Sequence, residues 1–365
     1  MSEVRTLEGQ VLTPAGWIAG RLRFAASVLA LEPDDSVPAD RFLLPGFVDL
    51  HVHGGHGADC MDGADDVRAM ARFHARHGTT ALLATTVTAP ADAIRSAMRG
   101  IGAVERAPVP GTARVLGAHL EGPFISPQAL GAQPPFAIPP DLALVEELCG
   151  LATLRVATMA PEIDPDGSLL AAFRRHGVRA QIGHTTCSYA QARGALAAGM
   201  AGFTHLFNAM TGLHHRKPGA VGCALAHGHW AEMIFDLLHV EPGAVLAALR
   251  AVPGLYGITD AVAATGMPDG EYHLGAHRIF KQGETIRLAD GTLAGSALTM
   301  DLALRNLLRL GLPLAEASRR LSTLPADYLG VADRGRLVPG AAADILVCDA
   351  AGRLAAVYAE GIEVR

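Results

Sequence analysis

The sequence predicts an α/β protein: a (β/α)8 barrel with a small β-sandwich built from both chain termini. Three observations carry this expectation. Eight short, turn-bounded apolar runs alternate with helical stretches along the middle of the chain. Residues of metal-ligating type fall at or near the C-terminal ends of five of those runs. The two chain ends have a different texture, short alternating stretches broken by Gly and Pro, and neither could bury a core alone.

The eight strands are expected at Phe47–His53, Ala81–Val87, Val115–Glu121, Leu154–Met159, Val178–His184, Gly202–Asn208, Glu232–His239 and Leu255–Asp260. Helices are expected between them at Asp65–Arg76, Ala91–Val104, Asp141–Leu148, Ser168–His176, Ser188–Ala198 and Pro242–Val252. Two more follow the last strand, near Leu298–Arg309 and Leu314–Leu321. Strands alternating with helices imply parallel β-α-β units, and eight units in about 280 residues imply closure into a TIM-type barrel. Residues 45–335 are assigned to it. Residues 1–44 and 336–365, with β-like runs at Val11–Leu12, Arg21–Phe24, Asp344–Val347 and Leu354–Tyr358, are assigned to the sandwich. Tyr272–Arg287 interrupts the helical pattern after the eighth strand and reads as a hairpin-like insertion.

Composition narrows the function. The 365 residues are 50% hydrophobic and 18% charged, with net charge −6. Such a chain can bury a large core and lacks the basic excess of a nucleic-acid binder. No run approaches the ~18 uninterrupted apolar residues of a membrane span. The first ten residues carry Glu3, Arg5 and Glu8 and no apolar signal-peptide segment. The five cysteines are odd in number and scattered, without a C-x-x-C, and read as reduced thiols. A cytoplasmic protein is expected.

In a (β/α)8 barrel, active sites form at the C-terminal ends of the strands. His51 and His53 end the first run, Glu121 the third, His184 the fifth and Asp260 the eighth, while His205 lies in the sixth. Side chains two apart on a strand point the same way, so His51 and His53 can share one ion. Gly54 and Gly55 then allow a sharp turn. A single histidine is more often structural than a ligand; convergence of four with two carboxylates favours a metal site. His74, His77 and His176 lie on helical stretches and are expected at the surface. His119 shares the strand face of Glu121 and is expected in the core or behind the ligands. Cys60 reads as a packed thiol. Imidazole and carboxylate ligands suit zinc, and also ferrous iron. A divalent ion lowers the pKa of water and polarises the carbonyl it attacks. Asp260 is the candidate for moving the proton.

A second constellation is cationic. The loop after the sixth strand contains His215, Arg216 and Lys217, adjoining in an otherwise acidic protein. Arginine gives bidentate, permanently charged recognition of phosphate. His239, ending the seventh run, points to the same rim. The alternative is a solvated basic turn.

At these residues the sequence resembles the N-acetylglucosamine-6-phosphate deacetylases of the amidohydrolase superfamily, nearly end to end. The resemblance is carried by Pro45-Gly-Phe-Val-Asp-Leu-His-Val-His-Gly-Gly, His119-Leu-Glu-Gly-Pro-Phe-Ile-Ser-Pro, Gly183-His-Thr, Thr204-His-Leu-Phe-Asn-Ala-Met, His214-His-Arg-Lys-Pro-Gly, Thr259-Asp-Ala-Val-Ala-Ala-Thr-Gly-Met-Pro-Asp-Gly and Ala294-Gly-Ser-Ala-Leu-Thr-Met-Asp. It implies one divalent metal, zinc or iron, on Glu121, His184 and His205. It implies a second, absent from some members, on His51 and His53 with Glu121 as a bridge. It implies Asp260 as general base and acid. Asn208, Ala209, His215, Arg216 and His239 are implied to bind the sugar phosphate. The arginine loop is implied to reach a neighbouring subunit's site, hence a homodimer. Two positions depart from the family. Gln133 stands where a histidine usually holds the scissile carbonyl, and is expected to donate to it instead. Lys217 stands where an acidic residue is common. The fourth run ends Thr158-Met-Ala-Pro-Glu without the lysine of hydantoinases and dihydroorotases, which weighs against a cyclic-amide hydrolase. A non-catalytic scaffold would be expected to lose metal ligands, and this chain keeps them. The galactosamine epimer remains the alternative substrate.

Overall fold

A computed structural model describes residues 3–364. Met1, Ser2 and Arg365, the outermost positions of the two terminal segments, lie outside the described residues. Eight parallel strands form one sheet, in the order of the chain: Phe47–Val52, Thr79–Thr86, Arg114–Glu121, Leu154–Met159, Arg179–Ile182, Gly202–Phe203, Trp230–Ile234 and Gly254–Ile258. The barrel closes between the eighth and first strands through Asp260 N–H to His51 O and His53 N–H to Ala261 O, both 2.9 Å. Asp49 reinforces the seam, accepting from the Thr259 hydroxyl at 2.6 Å. All six residues of the first strand and all eight of the second are buried, as parallel strands covered on both faces require.

The helices pack around this sheet. In Ala64–Arg76 the buried residues are Val67, Met70, Ala71, His74 and Ala75, one stripe at helical spacing. His74 is therefore not at the surface as expected. It is fully buried and bonds Gly54 O through Nε2 at 2.9 Å. Two helices were not expected: Gly219–His227 and Thr323–Leu329. The first is made of Gly, Ala, Val, Leu, Cys and His, too uniformly apolar to show a stripe. Among the described residues no helix is long and apolar enough to cross a membrane.

The expected insertion is a three-stranded antiparallel sheet, Gly270–Leu274, His277–Gln282 and Thr285–Arg287. Its Leu274, Ile279 and Ile286 pack with Val87 and Val262, which follow the second and eighth strands. The two ends meet in one seven-stranded sheet, in which Phe42–Pro45 pairs with Arg5–Thr13 on one side and with Ile345–Cys348 on the other. The sheet bends back on itself, with Val28 N–H bonded to Ala341 O at 2.8 Å. Strand alternation divides its side chains between two cores. Val11, Leu43, Ile345 and Val347 join Leu22, Phe24 and Tyr358 inside the sheet, while Leu12, Leu44, Leu346 and Cys348 face the barrel's own core.

Candidate active site

Four strands stop well short of their expected ends. The fifth ends at Ile182, the sixth at Phe203 and the eighth at Ile258, each two residues before a proposed site residue, and the seventh ends at Ile234, five residues before His239. His184, His205 and Asp260 have φ of 44°, 27° and 52°. Left-handed backbone cannot continue a strand and is costly for a non-glycine residue. Here it turns each side chain into the mouth just as the strand finishes. Gly54 and Gly55 act differently from expectation. Neither has positive φ; both are needed for close approach, since a Cβ would lie 2.3 Å from Ala58 O at Gly54 and 2.6 Å from Phe73 at Gly55.

Glu121 is the centre of the cluster. Its Oε1 lies 3.0 Å from His205 Nε2, 3.2 Å from His184 Nε2 and 3.4 Å from His51 Nε2. Its Oε2 lies 3.2 Å from His53 Nε2. Asp260 Oδ1 lies 3.2 Å from His53 Nε2 and 3.5 Å from His51 Nε2. The ligand atoms thus form two groups, Glu121–His184–His205 and His51–His53–Asp260, with Glu121 touching both.

The other ring nitrogens decide what these groups can hold. His53 Nδ1 faces Thr85 O and His184 Nδ1 faces Ala129 O, each at 2.9 Å. A carbonyl only accepts, so both Nδ1 atoms carry the proton. His51 Nδ1 is 3.0 Å from the Glu232 carboxylate and does the same. Their Nε2 lone pairs therefore point inward, where His51 and His53 stand 3.2 Å apart and His184 and His205 3.1 Å apart. Two facing lone pairs, as on His51 and His53, are relieved at that distance by a proton or a metal ion shared between them. The donor set fits a divalent ion.

Electrostatics agree. Burial pushes the Glu121 carboxyl up, but His51, His184 and His205 hold it well below the usual range. Burial opposes charge on His53, yet Asp260 and Glu121 raise it to about 9. Asp260 is likewise held ionised, burial being outweighed by His53 and His51. In the absence of an ion the cluster attracts protons; an ion would displace them.

A cavity of about 220 Å³ opens above. His53, Glu121, His184, His205 and Asp260 line its floor, and Gln133, Asn208, Ala209 and His239 its walls. Gln133 is held at both ends: its Oε1 accepts from Thr88 N–H at 2.7 Å, and its Nε2 donates to Glu121 Oε2. One N–H remains for another partner. His239 Nδ1 is 2.6 Å from Asp236 Oδ2. Burial opposes its charge, but Asp236 raises its pKa. Leu274 from the insertion, and Thr292, Leu293 and Gly295 from the segment that follows it, complete the wall; the sequence reading did not connect the insertion to the site. His119 is buried behind His51, bonded to Leu50 O and Thr158 Oγ1, and Cys60 is packed against Thr85 O.

His215 and Arg216 are not brought to the cavity of their own chain. Both are exposed, and Arg216 Nη1 donates to His215 Nε2 at 2.7 Å. Among the described residues lining the cavity there is no arginine or lysine. Sequence reasoning also missed Glu232; a lone carboxylate inside the apolar run Trp230–Ile234 was the available signal.

The model of the amidohydrolase family matches residues 42–361. An N-acetylgalactosamine-6-phosphate deacetylase of Escherichia coli O157:H7 is 39% identical, over 96% of this chain and 97% of its own. An N-acetylglucosamine-6-phosphate deacetylase of Vibrio furnissii is 41% identical, over 79% of this chain and 74% of its own. A mutant N-acetyl-D-glucosamine-6-phosphate deacetylase of Mycobacterium smegmatis, solved with N-acetyl-D-glucosamine-6-phosphate, superposes with TM-score 0.91 at 34% identity, covering 99% of both chains.

Proposed function

The chain belongs to the amidohydrolase family, in its N-acetylglucosamine-6-phosphate deacetylase group, and from that premise we propose how its own residues work. The reaction is hydrolysis of N-acetyl-D-glucosamine 6-phosphate to D-glucosamine 6-phosphate and acetate. The observation that carries this reading is the Glu121 carboxylate set between two pairs of inward-facing imidazoles, with Asp260 at the edge of the cavity.

Glu121, His184 and His205 would hold one divalent ion, and His51 and His53 with Glu121 a second. Zinc suits these ligands best, and ferrous iron also fits. Such an ion supplies Lewis-acid polarisation of the acetamide carbonyl and a more acidic water. Asp260, ionised and beside His53, takes the proton of the attacking water and returns it to the departing amine. Gln133, fixed by Thr88 and Glu121, gives its free N–H to the carbonyl oxygen, where negative charge develops. Asn208, the backbone at Ala209 and His239 hold the sugar phosphate.

Arg216, with His215, completes the phosphate site of a partner copy. Supporting this are the exposure of the loop, the lack of arginine and lysine among the described residues lining the cavity, and the apolar Leu213 and Leu238, 59% and 44% exposed. The protein is thus proposed to be a homodimer. A cytoplasmic setting is supported by five free cysteines. The galactosamine epimer is the second reading, favoured by the named specificity of the E. coli relative.

The test is acetate release from both N-acetylhexosamine 6-phosphates and their unphosphorylated forms, with metal counted per chain. Turnover of the glucosamine phosphate, with phosphate and metal both required, is expected. Preference for the epimer would move the assignment to the second reading, and metal-independent turnover would reject the mechanism.

A further inference from the structure

Beneath the imidazoles lies a carboxylate that the hydrolytic reading leaves unused. Glu232 stands inside the seventh strand and is fully buried. A carboxylate there is costly unless its oxygens are met by donors. Its Oε2 is 3.0 Å from His51 Nδ1 and 3.3 Å from the backbone nitrogen of His205. Its Oε1 accepts from the Tyr256 hydroxyl at 3.3 Å. That hydroxyl is held in turn by Gln181 Nε2 at 2.9 Å, which also reaches the Tyr328 hydroxyl at 3.0 Å. Gln181 Oε1 accepts from Thr204, whose hydroxyl meets Thr158 at 2.7 Å, and Thr158 meets His119. The barrel floor is one connected polar network with Glu232 at its upper end.

His51, His119 and Glu232 are close enough to suggest a third cation cluster. His119 argues against it. Its Nδ1 donates to Leu50 O at 3.0 Å and its Nε2 is engaged by the Thr158 hydroxyl at 2.8 Å, so neither ring nitrogen is free for an ion. Glu232 holds ligands, not an ion.

His205 shows why this matters. Its Nδ1 is buried without a hydrogen-bond partner, whereas His51, His53 and His184 each have one there. It also sits at φ 27°. The ring lacks the usual tether, and the hydrogen bond from its backbone N–H to Glu232 holds the residue instead.

We propose that Glu232 is the positioning residue that joins the two metal clusters, a single carboxylate oxygen fixing His51 from one and the backbone of His205 from the other. The proposal rests on the metal-dependent reading of the site. Through the Nδ1 contact it selects the His51 tautomer that leaves Nε2 for an ion. Removing a carboxylate behind a ligating histidine typically weakens metal affinity about 10–100-fold.

The experiment compares wild type, Glu232→Gln and Glu232→Ala as metal-free full chains titrated with zinc chloride. Bound ions are counted, and the His51 tautomer is read by ¹⁵N NMR. Wild type should take up ions on both clusters, with His51 protonated at Nδ1. Glu232→Gln keeps an acceptor for that proton but loses the charge; its zinc affinity should fall about tenfold, with the tautomer retained. Glu232→Ala should fall further and show mixed tautomers. Unchanged zinc affinity in Glu232→Gln, or a wild-type His51 pattern in Glu232→Ala, overturns the proposal; the glutamine variant decides alone if the alanine variant does not fold. Wild-type acetate release is measured alongside. Its absence would reject the substrate while leaving the zinc result to stand.

Discussion

At the barrel mouth, Glu121, His184 and His205 are 1%, 4% and 4% exposed, and each side chain meets other polar atoms of the protein. In the loop after the sixth strand, His214, His215, Arg216 and Lys217 all stand in solvent, in a turn closed by Lys217 N–H to His214 O at 2.9 Å. The first region is assembled by the barrel from strands far apart in sequence. The second is local chain, complete in itself and aimed away from its own cavity. The groups proposed for bond breaking are thus built into one fold, while the charge proposed for the substrate's anionic end stands on the surface. Two halves of one proposed site can differ this much because they answer different demands. A metal cluster needs ligands fixed to tenths of an ångström, whereas a phosphate contact needs only charge within reach.

The contrast can be broken most severely at Glu121. Glu121→Ala removes the group common to both metal clusters, and loss of bound metal and of all measurable turnover is expected. Metal analysis beside an acetate assay checks it; full metal content would dissolve the cluster as described. Asp260→Asn comes next. An amide cannot take the proton, so kcat should drop roughly 10²–10⁴-fold with KM nearly unchanged. Steady-state kinetics returning a normal kcat would remove Asp260 from the chemistry. Gln133→Ala should lower kcat less, by about 10²-fold, because it removes one neutral donor. Wild-type turnover in that variant would reduce Gln133 to a loop residue.

The other side of the comparison responds in KM. Arg216→Ala should raise KM for the phosphorylated sugar by about 10–100-fold, the loss of a charge-assisted contact. Mixing Arg216→Ala with Asp260→Asn chains sharpens the point. If the loop serves the partner, mixed dimers contain one site with both groups intact and activity partly returns; if it serves its own chain, none does. Smallest is Lys217→Glu, where kinetic constants within about twofold of wild type are expected of a solvated charge. A large rise in KM would bring Lys217 to the phosphate.

Much of this was legible in the sequence, because a parallel strand announces itself as an apolar run and a barrel puts its chemistry at the run's end. The eight strands and the residues around Glu121 follow from that rule alone. The errors have physical causes. Expected strands ran through His184, His205 and Asp260, since left-handed backbone leaves no mark in hydrophobicity. His74 is polar by type but shares the stripe of Val67, Met70 and Ala71, and its position in the helical period decides its burial. The role of Glu232 depends on His51 and His205, 181 and 27 residues away, a relation that exists only after the barrel closes. The insertion's share in the cavity wall is of the same kind.

The terminal sheet has a consequence for the order of events during synthesis. Every proposed metal ligand and Asp260 has left the ribosome long before Ile345–Cys348, the strand that Phe42–Pro45 must pair with. Until it arrives, Phe42–Pro45 offers an unpaired edge carrying Leu43 and Leu44, both fully buried in the finished protein. A nascent chain can therefore hold the pieces of its catalytic centre while one sheet is still open and adhesive. Translation that stalls in this last stretch should yield aggregates rather than a truncated enzyme.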